Sequence, residues 1–231
     1  MATQNIELPE IGKVSLRKHI NSKTIKISIE ANSTVKVTMP RWIPYKMAIK
    51  YVISKKDWIL KHQTTSVIFN TDDRIGKKHT LKLLRTANVK DITTRKKGLQ
   101  LWVYYPPKYL FDSPEVQDKI RVIARKALRH EAEELLPNRL RQFAEQYDFE
   151  VKSIEIRTLK ARWGSCNSKK EITLNLYLML LPWDLIDYVI MHELSHTKAL
   201  HHGSDFWKVF ESVMPDAKKR RKEMKNYKPA L

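Results

Sequence analysis

His192, Glu193 and His196 stand in the order H-E-x-x-H within "VIMHELSHTKALHHGSDFW" (189–207). On a helix, residues four apart project from one face about one turn from each other, so both imidazoles can reach a single ion. Glu193 is then placed to take a proton from a water at that ion without ligating it. The chemistry such a pattern serves is metal-assisted hydrolysis, which needs a third protein ligand and one position left for water. His201 and His202 are the candidates. A continued helix would carry residue 202 about 9 Å further along the axis than His196. The helix must therefore end near Leu200 and the chain must turn back. Gly203 permits a turn and Ser204 is a good N-cap for a following helix.

These side chains need elements to hold them. "PWDLIDYVIMHELSHTKAL" (182–200) reads as the helix, started by Pro182. A last helix comes after it, with Phe206, Val209, Phe210 and Val213 on one face, ending at Pro215. Upstream, "EVKSIEIRT" (150–158) and "EITLNLYLM" (171–179) read as strands around "LKARWGSCNSKK". Ser113 and Pro114 open a long helix to about Tyr147, with Ile120, Ile123, Ala127, Leu128, Leu135 and Leu140 at helical spacing. Pro137 is expected to kink it. His130, Glu131 and Glu134 read as a solvated face of this helix, and His19, His62 and His79 as isolated surface residues. Helix, strands, helix, helix makes this half α+β.

Prolines cluster at "YYPPKYLFDSP" (104–114), where the periodicity changes. The expected division is 1–108, a β-rich region with one helix, and 109–231, the part that carries the histidines. In the first part "KTIKISIE" (23–30) and "TVKVTMP" (34–40) alternate and form a hairpin. "IPYKMAIKYVISKKDWILKH" (43–62) reads as a helix, and 80–86 and 98–105 as strands.

The 231 residues carry 44 Lys+Arg against 25 Asp+Glu, a formal net charge of +19. Such an excess either solubilises the surface or attracts a polyanion. Without helix-turn-helix or zinc-finger spacing it supports non-specific DNA or RNA binding at most. The densest run, "KKRRKEMK" (218–225), lies beyond the last core helix and is expected to reach out from the body. Cys166 is the one cysteine, which excludes an intramolecular disulfide. The first residues lack the basic and apolar regions of a signal peptide, and the run "LYLMLLPW" (176–183) is too short to span a bilayer. A cytoplasmic protein with no membrane partner is the expectation.

"RWGSC" (162–166), "ITLNLYLMLLPWDLIDYVIMHELSH" (172–196) and "HHGSDFW" (201–207), in this order and spacing, resemble the YgjP-like metallopeptidase family, which is related to SprT-like proteins among the HExxH zincins. The "KISIE…VKVTMP" hairpin and "KKDWI" (55–59) are similar to the family's N-terminal region. The resemblance implies an α+β, zincin-like domain of long helix, small sheet, HExxH helix and C-terminal helix, preceded by the smaller hairpin-plus-helix region. It implies one Zn2+ per chain on His192, His196 and His202, Glu193 as general base, and a polypeptide substrate. Metzincins make the turn in the HExxH gap with a glycine, and Ala199 stands at that place here, so this turn must differ. The family usually has Asn where this chain has His201.

By analogy with zincins, the strand 171–178 is expected at a sheet edge beside the metal, pairing with extended substrate. Asn175 and Tyr177 would share its substrate side, with Ile172, Leu174 and Leu176 facing the core. Arg162 is a candidate oxyanion stabiliser. Gly164 is expected to turn the chain, and Cys166, with no activating histidine beside it in sequence, reads as a small buried filler. The alternative function is a nucleic-acid-associated binding module with a structural or vestigial zinc site. The intact Glu193 argues against it, because a structural site has no need of a base.

Overall fold

Two runs that alternate apolar with polar residues, K-V-S-L-R-K and V-K-V-T-M, form the centre of the first sheet. In this computed structural model, which describes residues 3–29, 34–62 and 68–231, the strands are β1 (Thr3–Leu8), β2 (Gly12–Lys18), β3 (Lys26–Ile29) and β4 (Val35–Met39). Their order is β1-β2-β4-β3. Val14, Leu16, Val35, Val37 and Met39 are buried on one side, as a period of two requires. β3 and β4 pair antiparallel with Ile27 opposite Val37, as the hairpin demands, and the connecting residues 30–33 lie outside the described residues. β1 and β2 are not among the strands expected from the sequence. The helix expected over 43–62 is two, α1 (Tyr45–Ser54) and α2 (Lys56–His62), parted at Lys55. Ala48, Val52 and Ile59, with Ile11 and Ile43, give this unit the rest of its core. The side chain of His62 lies outside the described residues.

By internal contacts the chain divides into Met1–Ile68 and Phe69–Leu231, whereas the change of pattern in the sequence falls at residue 108. The strands between residues 69 and 108 belong to the second unit because they pack on its long helix. β5 (Arg74–Ile75), β6 (His79–Arg85), β7 (Thr93–Lys97) and β8 (Gln100–Tyr105) form a sheet ordered β5-β6-β8-β7. Its inner residues Ile75, Leu81, Leu101 and Val103 share one core with Ile120, Ala124, Leu128, Leu136 and Leu140 of α3 (Pro114–Gln146). α3 has 33 residues and stays helical through Pro137 to its end. At about 50 Å it is long enough to serve a second sheet, β9 (Ser153–Arg157), β10 (Gly164–Cys166) and β11 (Glu171–Asn175). A 3₁₀ turn (Leu176–Leu180) then leads to α4 (Trp183–Ser195), α5 (Ser204–Val213) and α6 (Ala217–Met224). The mixed α+β class is as expected. Among the described residues no helix is long and apolar enough to cross a membrane.

Two surface expectations are corrected. Glu131 is not solvated but 0% exposed, and His79 is 2% exposed. Glu131 Oε1 lies 2.5 Å from His79 Nδ1, while the carboxylate also accepts the backbone N–H groups of Lys77 (2.6 Å) and Lys78 (3.0 Å). A Cβ at Gly76, whose φ is +69°, would fall 2.2 Å from Glu131 Oε2, so only glycine admits the carboxylate to this turn. The clasp ties the β5–β6 connection to α3. His130 and Glu134 are exposed as expected. The basic run at the C-terminus is likewise not a free arm. It folds as α6, with Ala217 buried, Arg220 paired to Asp184 and Asp216, and the Arg221 guanidinium 5.3 Å from the Trp207 ring centroid.

Candidate metal centre

α4 starts after Pro182, whose missing N–H is not needed at a helix start. It ends at Ser195, earlier than the expected Leu200. Thr197 N–H bonds Leu194 O at 2.9 Å and Ala199 N–H bonds Ser195 O at 3.0 Å, a tight last turn that lets the chain reverse. Gly203, in extended conformation, and not Ser204, is the N-cap of α5. Ser204 is the first helical residue, and α5 has no side-chain cap bond.

The reversal brings His202 back to α4. His202 Nε2 lies 3.0 Å from His192 Nε2, and His196 Nε2 lies 3.3 Å from that same atom. Ligand atoms of all three lie within 4.8 Å of one another. Nitrogens held tetrahedrally at the usual zinc distance of about 2.0–2.1 Å sit about 3.3 Å apart, so the donor set fits such an ion. His201 is exposed and outside this cluster. Phe206, fully buried, has its ring centroid 5.0, 4.6 and 4.7 Å from those of His192, His196 and His202. It is the common floor that fixes the three ring planes. Its place on the apolar face of the last helix was readable from spacing, but its contact with the histidines was not.

His196 Nδ1 faces the carbonyl of Ala199 at 3.2 Å, which assigns the proton to Nδ1 and leaves the Nε2 lone pair free. Burial, with His196, His202 and Arg221 nearby, pushes His192 down to about 3. Burial also lowers His196. Both effects favour neutral imidazole, the form that ligates a metal.

Glu193 is 6% exposed and lies against β10. A Cβ at Gly164 would fall 2.7 Å from Glu193 Oε1 and 2.8 Å from its Cγ. The glycine of RWGSC is therefore space reserved for the carboxylate, not a chain turn. Burial pushes the Glu193 carboxyl up to about 8, partly opposed by the Arg162 guanidinium. Such a group can both accept and return a proton near neutral pH. Gly164→Ala should displace the carboxylate, because its Cβ would fall 2.7 Å from Glu193 Oε1, and a structure of the variant would show the Glu193 side chain shifted. An unmoved carboxylate in Gly164→Ala would show that the glycine does not reserve its space. Cys166 is half-buried. Burial and the Glu193 charge push its thiol up to about 11, so it is no thiolate nucleophile.

Asn175 and Tyr177 are corrected by where the strand stops. β11 ends at Asn175, whose side chain accepts the Tyr177 N–H at 3.2 Å and turns the chain into the 3₁₀ segment. Asn175 is 0% exposed, and its amide donates to the carbonyls of Leu159 and Arg162, both at 2.8 Å. It braces the loop that carries Arg162 and has no face toward a ligand. Tyr177 is buried, its hydroxyl accepting from Arg125 at 3.1 Å. Nor is β11 an edge strand, because β9 pairs with it in parallel and β10 antiparallel. The edge strand that packs against α4 is β10.

Comparison with known proteins gives two matches. The family model described as YgjP-like, metallopeptidase domain, matches residues 23–227. Among solved structures, the chain is similar to the metallopeptidase zymogen of Pyrococcus abyssi abylysin, with 27% identity, 40% of this chain and 94% of that one covered, and a TM-score of 0.36. No curated protein matches.

Proposed function

The chain belongs to the YgjP-like family of metallopeptidase domains, and from that premise we propose that it hydrolyses peptide bonds with zinc on His192, His196 and His202 and Glu193 as general base. The observation that carries this reading is the convergence of three Nε2 atoms, with Glu193 buried at the position after His192 on the same helix. When bound, zinc supplies Lewis acidity, bringing the pKa of a water toward neutrality and polarising the scissile carbonyl. Glu193 accepts the proton of the attacking water and returns it to the leaving nitrogen as the C–N bond breaks. Its confinement against Gly164 limits the positions the carboxylate can take. Arg162, exposed on the braced 159–162 loop, is a candidate to meet negative charge developing on the carbonyl oxygen.

β10, in place of the 171–178 strand, offers its free backbone edge to an extended polypeptide. A purely structural three-histidine site would gain nothing from Glu193, whose burial costs solvation energy. Chelation of the purified protein should abolish cleavage of an unfolded polypeptide, and one equivalent of zinc should restore it. Cleavage that persists in protein shown by metal analysis to hold no ion would sink the proposal.

A further inference from the structure

The β5–β8 sheet has a second face, turned away from α3. Alternation sends Leu81, Leu101 and Val103 into the core and leaves Lys82, Leu84, Trp102 and Tyr104 on the other side. The register sets Arg95 of β7 opposite Trp102 and Thr93 opposite Tyr104. Every residue of β7 is exposed, and Leu84 is 43% exposed.

On this face the Trp102 and Tyr104 rings lie nearly parallel, 16° apart, with centroids separated by 5.8 Å. Lys97 Nζ stands over both, 5.2 Å from the first centroid and 5.8 Å from the second. One flexible side chain thus caps both rings. Beside Tyr104 a cleft of about 250 Å³ is lined by Leu84, Asn88, Thr93 and Arg95 among others. Asp72 is paired with Lys82.

Flat aromatic surface flanked by cations matches a ligand that carries flat π faces and negative charge at short, regular intervals. Nucleobases on a phosphate backbone meet both requirements, and only a single strand leaves its base faces open. We propose that this sheet face binds single-stranded nucleic acid, its bases stacking on Trp102 and Tyr104 and its phosphates meeting Arg95 and Lys97. The net charge of +19 supplies long-range attraction. α6 is a poorer candidate for the contact, since Arg220 and Arg221 are already engaged within the protein.

The test is fluorescence anisotropy of a labelled oligothymidylate titrated with the whole protein at low salt. Trp102→Leu with Tyr104→Leu keeps apolar bulk but removes the stacking faces, and should weaken binding about tenfold or more. Arg95→Gln with Lys97→Gln should lower the slope of log affinity against log salt by about 1.4. Should the ring variant fail to fold by circular dichroism, Thr93→Glu with Lys97→Glu on the exposed edge strand asks the same question, and affinity must again fall. Four results would each overturn the proposal: no binding by the wild type, equal affinity for a duplex of the same length, unchanged affinity in the folded variants, or binding to anionic lipid vesicles in place of the oligonucleotide. None depends on hydrolysis, so failure here leaves the peptidase reading standing.

Discussion

Glu193→Gln is expected to keep its metal and to lose peptide hydrolysis by about 10²–10⁴-fold. Glutamine has nearly the same shape, so the fit against Gly164 survives, but its amide cannot take a proton from water. The three converging nitrogens belong to other residues, and nothing in their geometry depends on the Glu193 charge. Removing a carboxyl that burial already disfavours should not weaken the fold either. The measurement is zinc content by atomic absorption beside turnover of an unfolded polypeptide. A variant within a few-fold of wild-type turnover would remove Glu193 as the base. Loss of zinc would make it a ligand instead.

His202→Ala should weaken zinc binding by more than about 100-fold, since losing a ligand must exceed the 10–100-fold cost of losing a group that merely supports one. His201→Ala should leave zinc affinity within a few-fold of wild type, because that side chain is exposed and outside the cluster. The two positions are adjacent in sequence and identical in chemistry, so the pair isolates geometry as the cause. Competition against a chelator of known affinity reads both. The reverse ranking would overturn the ligand assignment and the route of the 196–203 turn with it.

The features legible in the sequence are local or motif-borne. His192 and His196 share a helix face because they are four apart, and any helix through 189–196 must place them so. The β3–β4 pairing comes from alternation, and the family resemblance from three motifs in a fixed order. β2 carried the same kind of signal in Val14 and Leu16. Glu131 also gave a trace of itself, falling on the apolar stripe of α3 between Leu128 and Leu135, where a solvated residue would be out of phase. Sequence spacing alone did not reveal its partners, which lie more than fifty positions away.

Periodicity states which side of an element is buried, because that depends on the backbone repeat within a few residues. It does not state against what. The sequence by itself determined the helix-borne His–Glu–His set, the α+β class and the family. The resemblance already pointed to His202, and the tertiary structure brings its Nε2 to 3.0 Å from that of His192. Only the tertiary structure decided that Gly164 is room for Glu193, that β11 is a central strand with Asn175 sealed inside, and that α6 folds onto the body. Each of these is a contact between residues the chain keeps apart, and each is settled by which surfaces exclude water together.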